Sequence, residues 1–325
     1  MSEGGLIVFR SSNIQNGCMD YKDIVRVNKN VKEKLITKKD DLLVCARNGS
    51  ARLIGKNAIL HEIDANQTFG AFMMVFRSDI NHFVHQLLNT RLYSSQVSEN
   101  LGARINQITS SDLSSFEFFF PKENSEMNKI AALLDLLDER IATQNKIIDK
   151  LQSLIKGIAD KLFQTARTTK PLLEFAPNIT SGTDKSGSGT IPLYGSTGII
   201  GTVKNASQKG NIVLVARVGT IGTVQYVNEP CGVSDNALIV EAGEMTKYIY
   251  HFLKTYNFTR ITSGTTQPLI TASSLKKAAI PTYDIESQTR IVLCLNGLEK
   301  KLDMAKQYLS DIAVMKRYLL RQMFI

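Results

Sequence analysis

Two long segments of the chain carry apolar residues at alternating intervals of four and three positions. This spacing forms a narrow seam along a helix, as in a coiled coil, rather than the wider apolar face of an ordinary surface helix. Adding 161 to the seam positions of the first segment gives those of the second. The pattern predicts long helices at residues 125–163 and 285–324. Their seam residues are Ile130, Leu134, Leu137, Ile141, Ile148, Leu151, Ile291, Leu295, Leu298, Leu302, Leu309 and Ile312.

Helices of this length cannot be covered by one small domain. At 1.5 Å per residue each is about 58 Å long. The matching registers favour packing of the two seams against each other, antiparallel if the two halves are related by a pseudo-two-fold axis. Pairing of each seam with another subunit is the alternative. Gln144 and Lys316 interrupt the apolar pattern, and polar seam residues of this kind often fix the register of a coiled coil.

The repeat extends beyond the helices. Residues 43–50 match residues 213–220 at an offset of 170, and residues 108–111 match residues 270–273 at an offset of 162. The blocks occur in the same order in both halves, and each half ends in a long helix. A duplicated unit of this kind indicates one task performed twice.

The remaining patterns predict short strands and helices. Apolar, β-branched or aromatic runs predict strands at 42–46, 72–76, 116–120, 191–194, 212–216, 223–226 and 237–240. Helices are expected at 81–96 and 246–255, a polar linker at 165–170, and a flexible polar loop at 180–190.

These elements predict an α+β fold. It has two β-rich mixed domains in pseudo-two-fold arrangement, joined by two long helices that form an antiparallel coiled coil. The predicted boundaries are 1–121 for the first mixed domain, 122–164 for its helix, 171–283 for the second mixed domain and 284–325 for its helix.

Length and charge refine this picture. The chain has 325 residues, enough for two domains that each bury a core. Its net charge is +9, of which residues 1–164 carry +2 (21 Lys/Arg against 19 Asp/Glu) and residues 165–325 carry +7 (18 against 11). A basic excess of this size suits a polyanionic partner such as nucleic acid.

Other classes of protein find no support in the composition. No apolar run approaches the roughly 20 residues that span a bilayer, and no secretory signal is visible. The four cysteines are scattered and contain no CxxC pair, which favours a reducing cytoplasm and argues against a structural metal site.

The sequence contains almost no recognisable catalytic motifs. The sequence contains neither a phosphate-binding GxxxxGK[ST] loop nor an HExxH zinc motif. His82 and His85 have helical spacing but no evident third ligand, so a helix surface is the better interpretation. Asp284 and Glu286 are interpreted as the acidic first turn of the second long helix rather than as a nuclease pair. We therefore expect a binding protein without catalytic residues, cofactor or metal.

Polar, glycine-punctuated loops recur at equivalent places. Residues 47–50 and 217–220 follow predicted strands, and residues 102–107 and 263–267 precede the second matched block. Arginine, asparagine, glutamine and threonine are side chains that bind phosphates and base edges. Their repetition in a basic chain favours DNA contact.

The ordered motifs resemble a known family. The first unit reads A-R-N-G-S and the second A-R-V-G-T; the second continues with S-G-T-T-Q-P-L-I-T-A-S-S-L, a proline and a long heptad helix. Nearly the whole chain resembles the DNA-specificity subunit of Type I restriction-modification systems. Residues 191–201 and 262–275 are especially typical of it.

The resemblance implies two target-recognition domains that each read one part of a split sequence in double-stranded DNA. The helices would set the gap and dock methyltransferase (modification) subunits, probably two, and through these the restriction and translocase subunits. The chain itself would do no chemistry. The resemblance assigns DNA contacts to Ser12, Asn13, Arg47, Ser50, Arg104, Asn106, Ser196, Thr197, Arg217, Thr220, Thr265, Thr266 and Gln267.

One departure from a perfect repeat concerns the start of the first unit. The second unit has residues 171–190 before its 191–194 strand, whereas the first begins almost at the equivalent strand, residues 6–9. We therefore expect the first recognition domain to be incomplete at its N-terminus. A further hypothesis is that another chain supplies the missing piece.

Two alternatives remain at the level of sequence. A coiled-coil adaptor or assembly protein would show no salt-dependent retention on DNA. A divergent DNA methyltransferase or nuclease would act on DNA as the lone purified chain. The sequence does not indicate which bases are read, because loops vary freely on one frame.

Overall fold

The computed structural model describes residues 4–102, 106–264 and 268–324. The chain divides into two compact units. Unit 1 comprises residues 1–145 and 308–325, and unit 2 comprises residues 146–307. Each long helix therefore begins in one unit and ends in the other.

The strands of unit 1 are short and surround one fully buried strand. They are β1 (Leu6–Phe9), β2 (Ile14–Gln15), β3 (Cys18–Met19), β4 (Arg26–Val27), β5 (Leu42–Cys45), β6 (Asn57–Ile59), β7 (Thr68–Phe69) and β8 (Met73–Phe76). Strand β5 is central, with β6 and β8 antiparallel on its two sides. In the second sheet β1 lies between β4 and β7, and β2 pairs with β3.

Strand β5 is apolar throughout because both its faces are covered. Leu42 and Val44 belong to one hydrophobic cluster, and Leu43 and Cys45 belong to another. Successive side chains of a strand point to opposite faces, so the two clusters lie on opposite sides of the sheet. This explains why the sequence shows a continuous apolar run here instead of an alternation.

The helices of unit 1 differ from the expected pattern at one point. They are α1 (Asn81–Leu87), α2 (Arg91–Gly102), α3 (Ser110–Ser115), the first part of α4 (Asn124–Gln164) and the last part of α7 (Ile285–Met323). The single helix predicted over 81–96 is therefore wrong. Thr90 interrupts it: its Oγ1 donates to Leu87 O at 2.7 Å and accepts from the Tyr93 N–H. The hydroxyl ends one helix and supports the start of the next.

The strand predicted at residues 116–120 is also wrong. In the described part of the chain these residues pair with no strand. A run of aromatic residues has the right composition for a strand, but a strand exists only when a neighbour accepts its backbone hydrogen bonds.

Unit 2 has the same kind of organisation. Its strands are β9 (Thr168–Pro171), β10 (Thr180–Ser181), β11 (Ile191–Gly195), β12 (Gly198–Val203), β13 (Ile212–Ala216), β14 (Val224–Val227), β15 (Gly232–Val233), β16 (Ala237–Val240) and β17 (Ala279–Thr282). The sheet orders are β10-β16-β13-β14, β12-β11-β15 and β17-β9. Its helices are the last part of α4, α5 (Thr246–Thr255), α6 (Ala272–Lys276) and the first part of α7.

Two segments of unit 2 are more ordered than the sequence suggested. The predicted linker at 165–170 is partly strand β9, which pairs antiparallel with β17. The polar loop predicted at 180–190 begins with β10, which pairs with β16. Asp184 then holds the loop in place, because its carboxylate accepts from the Val233 N–H at 2.8 Å and from the Ser207 hydroxyl at 2.5 Å.

The long helices run antiparallel within unit 1. Met127, near the start of α4, shares a cluster with Phe324, just beyond the end of α7, and Leu134 further along α4 clusters with Ile312. All the predicted seam residues are buried or half-buried. Burying one such leucine stabilises the fold by roughly 1.5–3 kcal/mol. In unit 2, Phe163 of α4 and Ile291 and Leu295 of α7 belong to the main core.

A polar cluster joins a domain helix to the long helices in unit 1. Gln86 Nε2 of α1 donates to Asp135 Oδ1 at 2.7 Å and to Asp138 Oδ2 at 2.8 Å. Lys316 Nζ of α7 donates to both carboxylate oxygens of Asp138 at 2.5 and 2.6 Å. His82 Nδ1 lies 2.5 Å from Asp135 Oδ2. We refer to these five residues as the α1 latch.

Unit 2 carries a counterpart of this latch. His251 of α5 pairs through Nε2 with Asn296 Oδ1 of α7 at 2.9 Å, and Lys254 pairs with Glu299. Asn296 and Glu299 follow Asp135 and Asp138 by 161 residues, and His251 follows Gln86 by 165. The repeat thus preserves a polar connection between domain and spacer while changing the residues that make it.

These features confirm the predicted α+β class, with mixed domains and long paired helices. None of the helices in the described ranges combines the length and apolarity needed to cross a bilayer.

Candidate nucleic-acid interface

Three loops of unit 1 meet around Asn48. Its Nδ2 donates to Ser11 Oγ at 2.9 Å, and its Oδ1 accepts from the Ser50 N–H at 3.0 Å. Asn106 Nδ2 donates to Gly49 O at 3.2 Å. The loops that carry the predicted contacts Ser12, Ser50 and Asn106 are therefore held in one cluster, although they are far apart in sequence.

Arg47 is the exposed cation of this cluster. Its backbone N–H donates to Phe72 O at 3.0 Å, and its guanidinium lies 5.3 Å from the centroid of the Phe72 ring. An isolated β-bridge joins it to Gln107. The backbone is fixed on both sides while the head group remains exposed, as a contact to phosphate or to guanine requires.

Ser12 and Asn13 have different environments, although both were predicted to contact DNA. Ser12 is exposed, whereas Asn13 is only 1% exposed. Asn13 Oδ1 accepts from the Arg10 N–H at 2.9 Å, and its Nδ2 donates to Asp20 O at 3.1 Å and Asp23 O at 2.9 Å. All of its amide is used inside the protein, so its place in the loop is structural.

A buried thiol lies beneath the loops of unit 1. Cys45 Sγ donates to Arg47 O at 3.6 Å. Burial raises the pKa of the Cys45 thiol, and the nearby charge of Lys56 partly offsets this. The protonated thiol therefore acts as a small hydrogen-bonding core residue rather than as a nucleophile.

In unit 2 the hairpin tip between β11 and β12 meets the turn after β13. Thr220 Oγ1 donates to Ser196 O at 3.4 Å, and Gln225 Nε2 donates to Gly195 O at 2.9 Å. Gly219 has φ of 72°, which favours glycine and lets the chain reverse after the strand. The predicted contacts Ser196 and Thr220 are thus brought together, with Thr197 exposed at the tip.

Arg217 has an anchored backbone and an unsatisfied side chain. Its N–H donates to Asn236 O at 3.0 Å, and its carbonyl accepts from the Ile270 N–H at 3.0 Å. Its Nε is buried and has no hydrogen-bond partner within the described residues. The backbone of Arg217 is therefore fixed on both sides, and its side chain is half-buried.

The hairpin is supported from its side by Tyr194. The Tyr194 hydroxyl donates to Glu229 Oε1 at 2.7 Å. Burial, followed by this hydrogen bond to Glu229, raises the pKa of Tyr194 to about 12. The phenol therefore stays protonated near neutral pH and keeps its donor role.

Four predicted contact residues lie outside the described residues: Arg104, Thr265, Thr266 and Gln267. On either side of residues 265–267, Ser263 and Leu269 form an isolated antiparallel β-bridge.

The comparisons with known proteins point in one direction. The family model for the Type I restriction modification DNA specificity domain matches residues 2–153 and again residues 169–313. The chain belongs to this family. The resemblance found in the sequence is therefore confirmed, and each half of the chain is one specificity domain.

The matches to curated relatives cover only part of each relative's length. The chain is 30% identical over 156 residues to the Type I restriction enzyme EcoKI specificity subunit of Escherichia coli (strain K12), covering 46% of this chain and 33% of that protein. It is 27% identical over 167 residues to the StySPI specificity subunit of Salmonella potsdam, covering 50% of this chain and 35% of that protein. The match thus spans about a third of each relative.

Solved structures share the fold over almost the whole chain. The S subunit of a Type I restriction-modification system from M. genitalium superposes with a TM-score of 0.68 at 20% identity, covering 99% of this chain and 93% of that one. A chain from a study of assembly and conformational transition of the Type I R-M system gives 0.55 at 14% identity, covering 98% and 90%. At these identities the likeness concerns the fold.

Sequence reasoning missed two residues that organise the loops of the specificity domains. Asn48 connects three loops of unit 1, and Gln225 holds the hairpin tip of unit 2 from a strand 30 residues away. Asn48 stands before Gly49 in the Arg-Asn-Gly-Ser motif, so its position in the motif was a usable signal. Gln225 lies in an ordinary strand pattern and gave none.

The two histidines with helical spacing do not converge on a common point. His82 Nδ1 faces Asp135, whereas His85 Nδ1 pairs with Asn57 Oδ1 at 2.7 Å. Residues 4–102, 106–264 and 268–324 contain no group of three or more His, Cys, Asp or Glu side chains arranged to hold a metal ion.

Proposed function

We propose that the chain is the sequence-specific DNA-recognition subunit of a Type I restriction-modification complex and reads a bipartite target. The observation that carries this proposal is the double match to the specificity-domain family, once in each half. Each unit would read one part of the target. The chain would hold its partners on DNA and leave methyl transfer and cleavage to them.

The proposed DNA contacts come from the loop clusters of the two units. In unit 1 they are Ser12, Arg47, Ser50 and Asn106, and in unit 2 they are Ser196, Thr197, Arg217 and Thr220. Arg104, Thr265, Thr266 and Gln267 remain in the proposal from the sequence alone. The net charge of +9 supports the backbone part of such binding.

The proposed protein partners are modification subunits, with restriction and translocase subunits bound through them. We expect two modification subunits because the chain contains two similar units. Large apolar side chains on the long helices support this, because they are exposed and lie off the seam. They include Leu133, Leu136, Leu154, Leu293, Met304, Val314, Met315 and Tyr318. Exposed apolar side chains that recur along both long helices favour protein binding there.

The decisive experiment is reconstitution. We would co-express the chain with Type I modification subunits and map methylated sites by sequencing. The proposal predicts methylation at a motif of two short sequences separated by an unread gap. Absence of any chain-dependent methylation in a complex that assembles would contradict it.

Alanine variants of the two loop arginines would show which unit reads which half of the bipartite DNA target. Arg217→Ala is expected to relax or abolish recognition of one half, and Arg47→Ala that of the other, each at a cost of about 1–3 kcal/mol if the contact is to guanine. Arg290→Ala is the matched control, since Arg290 is exposed on α7 and pairs with Glu286 one turn away. If both variants weaken all sites equally, the arginines bind phosphate rather than bases.

A coiled-coil adaptor would behave differently. It would assemble with partners, yet its retention on DNA would not fall with added salt. The proposed reader is expected to lose affinity steeply between about 50 and 200 mM salt, as phosphate-binding proteins do.

A further inference from the structure

The loop that carries the proposed DNA contacts of unit 1 returns to the central strand at Gly55 and Lys56. The Gly55 N–H donates to Cys45 O at 2.8 Å, and the Cys45 N–H donates to Lys56 O at 2.9 Å. Strand β6 begins at the next residue, Asn57. The backbone of Lys56 is therefore fixed beside β5, and its side chain extends from a rigid base.

A groove lies between this turn and helix α2, and we call it the α2 groove. Its volume is about 580 Å³, which is within the range of cavities that bind ligands. Its lining includes the apolar side chains Ile54, Leu88 and Val97 and the cations Arg52 and Lys56. None of the described residues that line it is acidic. The groove therefore combines an apolar wall with a positive charge that no lining carboxylate neutralises.

The two cations of the α2 groove have no ionic partner in the part of the chain that the structure describes. Arg52 is exposed and Lys56 is half-buried. Burial lowers the pKa of the Lys56 ammonium, and the neighbouring Cys45 opposes this effect. An anion in the groove would also oppose it, because a nearby negative charge favours the protonated amine.

The α2 groove is continuous in the chain with the proposed DNA loop. Ser50, one of the proposed contacts, is followed at once by a single 3-10 turn, Ala51–Leu53. The Leu53 N–H donates to Ser50 O at 3.1 Å and closes this turn. Arg52 is its central residue. A ligand that contacts the loop cluster at Ser50 therefore meets Arg52 next.

Unit 2 has an equivalent groove without the charge. Gly222 stands at the position of Gly55, with φ of 79° against 82°, and Thr223 stands at the position of Lys56. The groove beside this turn has a volume of about 610 Å³ and includes the ring of Phe258, and the described residues that line it carry no charge. Both units thus place a groove of similar size at the same point of the repeat.

The charge of the α2 groove comes from an insertion and a replacement. The offset between the units is 170 at residues 43–50 and 167 at Gly55, so the loop of unit 1 is three residues longer. The 3-10 turn, also of three residues, carries Arg52. The replacement puts Lys56 where unit 2 has Thr223. The groove belongs to the shared frame, whereas its two cations belong to unit 1 alone.

We propose that the α2 groove binds the sugar-phosphate backbone of DNA beside the half-site of unit 1, with Arg52 and Lys56 in contact with phosphates. The inference rests on the proposed function and deepens it. Deoxyribose rings pack on the apolar wall, and the phosphates lie against the cations. Phosphate contacts hold a protein in register on the duplex without reading its sequence. An acidic protein segment would match the same charge, but the continuity with the loop cluster favours DNA.

The test measures how the DNA affinity of the full-length chain depends on salt. Wild type, Arg52→Gln and Lys56→Gln are titrated with a fluorescent duplex of mixed sequence at several salt concentrations. Loss of one phosphate contact should lower the slope of log K against log[salt] by about 0.9. We expect each variant to bind about five- to tenfold more weakly at about 0.1 M salt. Variants that bind with the slope and affinity of wild type would overturn the proposal.

Two further variants control for charge and folding. Lys56→Arg keeps the cation and should keep the slope of wild type. Lys301→Gln removes one positive charge from an exposed position of α7 and should also leave the slope unchanged. An equal loss in Lys301→Gln would show that net charge alone is responsible and would contradict the proposal. Failure of wild type to bind any DNA would refute the proposed function as well, whereas unchanged variants of a binding wild type refute the groove alone.

A neutral phosphate locates the contact. Duplexes with the target sequence, mapped in the reconstituted complex, are made with one methylphosphonate at a time. A position where this change weakens binding by wild type but not by Lys56→Gln identifies the phosphate that Lys56 contacts. Equal weakening of both proteins at every position would exclude a direct contact. Weaker assembly of Lys56→Gln with modification subunits, at an unchanged DNA slope, would assign the groove to an acidic protein segment and overturn the proposal.

Discussion

Lys316 Nζ lies 2.5 and 2.6 Å from the two carboxylate oxygens of Asp138, and the side chains are only 12% and 24% exposed. Lys316 interrupts the apolar seam of α7, and its partner lies on α4 within the same unit. The polar interruption noticed in the sequence is thus an ion pair between the long helices. Gln86 extends it to the first helix of the domain.

Removing only one partner of this pair is expected to be costly. Lys316→Met leaves Asp138 half-buried with Gln86 as its remaining donor, so we expect a loss of about 1–3 kcal/mol in the free energy of unfolding. The double variant with Asp138→Leu should regain most of that loss, because an apolar pair of similar volume is often as stable as a buried ion pair. Urea denaturation followed by circular dichroism measures both, since the chain has no tryptophan. Lys301→Ala, at an exposed position of α7, is the control; an equal loss there would refute the argument.

Acid should destabilise unit 1 through His85. Burial lowers the pKa of His85 to about 4, although Asp138 and Asp135 oppose this while Lys316 and His82 add to it. Below its unfolded pKa of 6.5 the unfolded chain takes up a proton that the folded chain refuses, so stability is lost as pH falls from 6.5 towards 4. The loss reaches about 3 kcal/mol at most.

The matching variant isolates this effect. The hydrogen bond to Asp135 raises the pKa of His82 against the opposing effect of burial, and the charges of Asp135 and Asp40 add to the rise. Protonation of His82 therefore stabilises the folded state in acid and opposes the effect of His85. His85→Gln keeps a donor for Asn57 and leaves His82 in place. The difference in unfolding free energy between pH 7 and pH 5 should therefore be smaller in this variant. An equal or larger difference would show that His85 is not responsible.

Gly55 is expected to tolerate no side chain. Its φ is 82°, and a Cβ there would lie 2.7 Å from the Tyr93 hydroxyl, which donates to the carbonyl of Gly55 itself at 3.0 Å. Strain of the backbone and loss of this buried hydrogen bond together predict that Gly55→Ala costs about 2–3 kcal/mol. Gly49→Ala is the control, because its Cβ would meet nothing within 4 Å. Thermal unfolding should separate the two variants clearly, and similar Tm values would contradict the prediction.

If the helices set the distance between half-sites, their length should set the gap in the DNA target. Inserting seven residues after Asn145 and seven after Gln307 preserves the seam and adds about 10.5 Å of helix. At 3.4 Å per base pair the preferred gap should lengthen by about three base pairs. Methylation mapping in the assembled complex measures it, and seven residues inserted into the 183–190 loop serve as the control. A gap that stays fixed would exclude a helical ruler.

The sequence predicted best what depends on local periodicity. Strands at 212–216 and 237–240 and the helix at 246–255 have the expected bounds, and the long helices differ from expectation by one residue at most at each end. Heptad spacing and continuous apolar runs encode these elements directly. The prediction failed where structure depends on a distant neighbour. Phe118 has the composition of a strand but pairs with no strand among the residues that the structure describes, whereas Thr168 lies in a polar stretch and pairs with Thr282.

The candidate site shows the same division. The Arg-x-Gly turns at residues 47–49 and 217–219 were visible as repeated motifs in the sequence. In the structure each turn lies in the loop cluster of its unit. The role of Asn13 could not be seen, because its burial depends on the carbonyls of Asp20 and Asp23 across a loop. The α1 latch was missed for a similar reason, since Gln86 meets Asp135 only after two helices pack.

The division of the chain into units has a consequence for biosynthesis. Unit 2 is continuous, from 146 to 307, whereas unit 1 needs residues 308–325 to complete the partner of α4. Domains generally fold as they leave the ribosome. Unit 1, which is translated first, therefore completes its helix pair only once residues 308–325 have been made, and until then Leu134 and Leu137 lack the α7 residues that cover them.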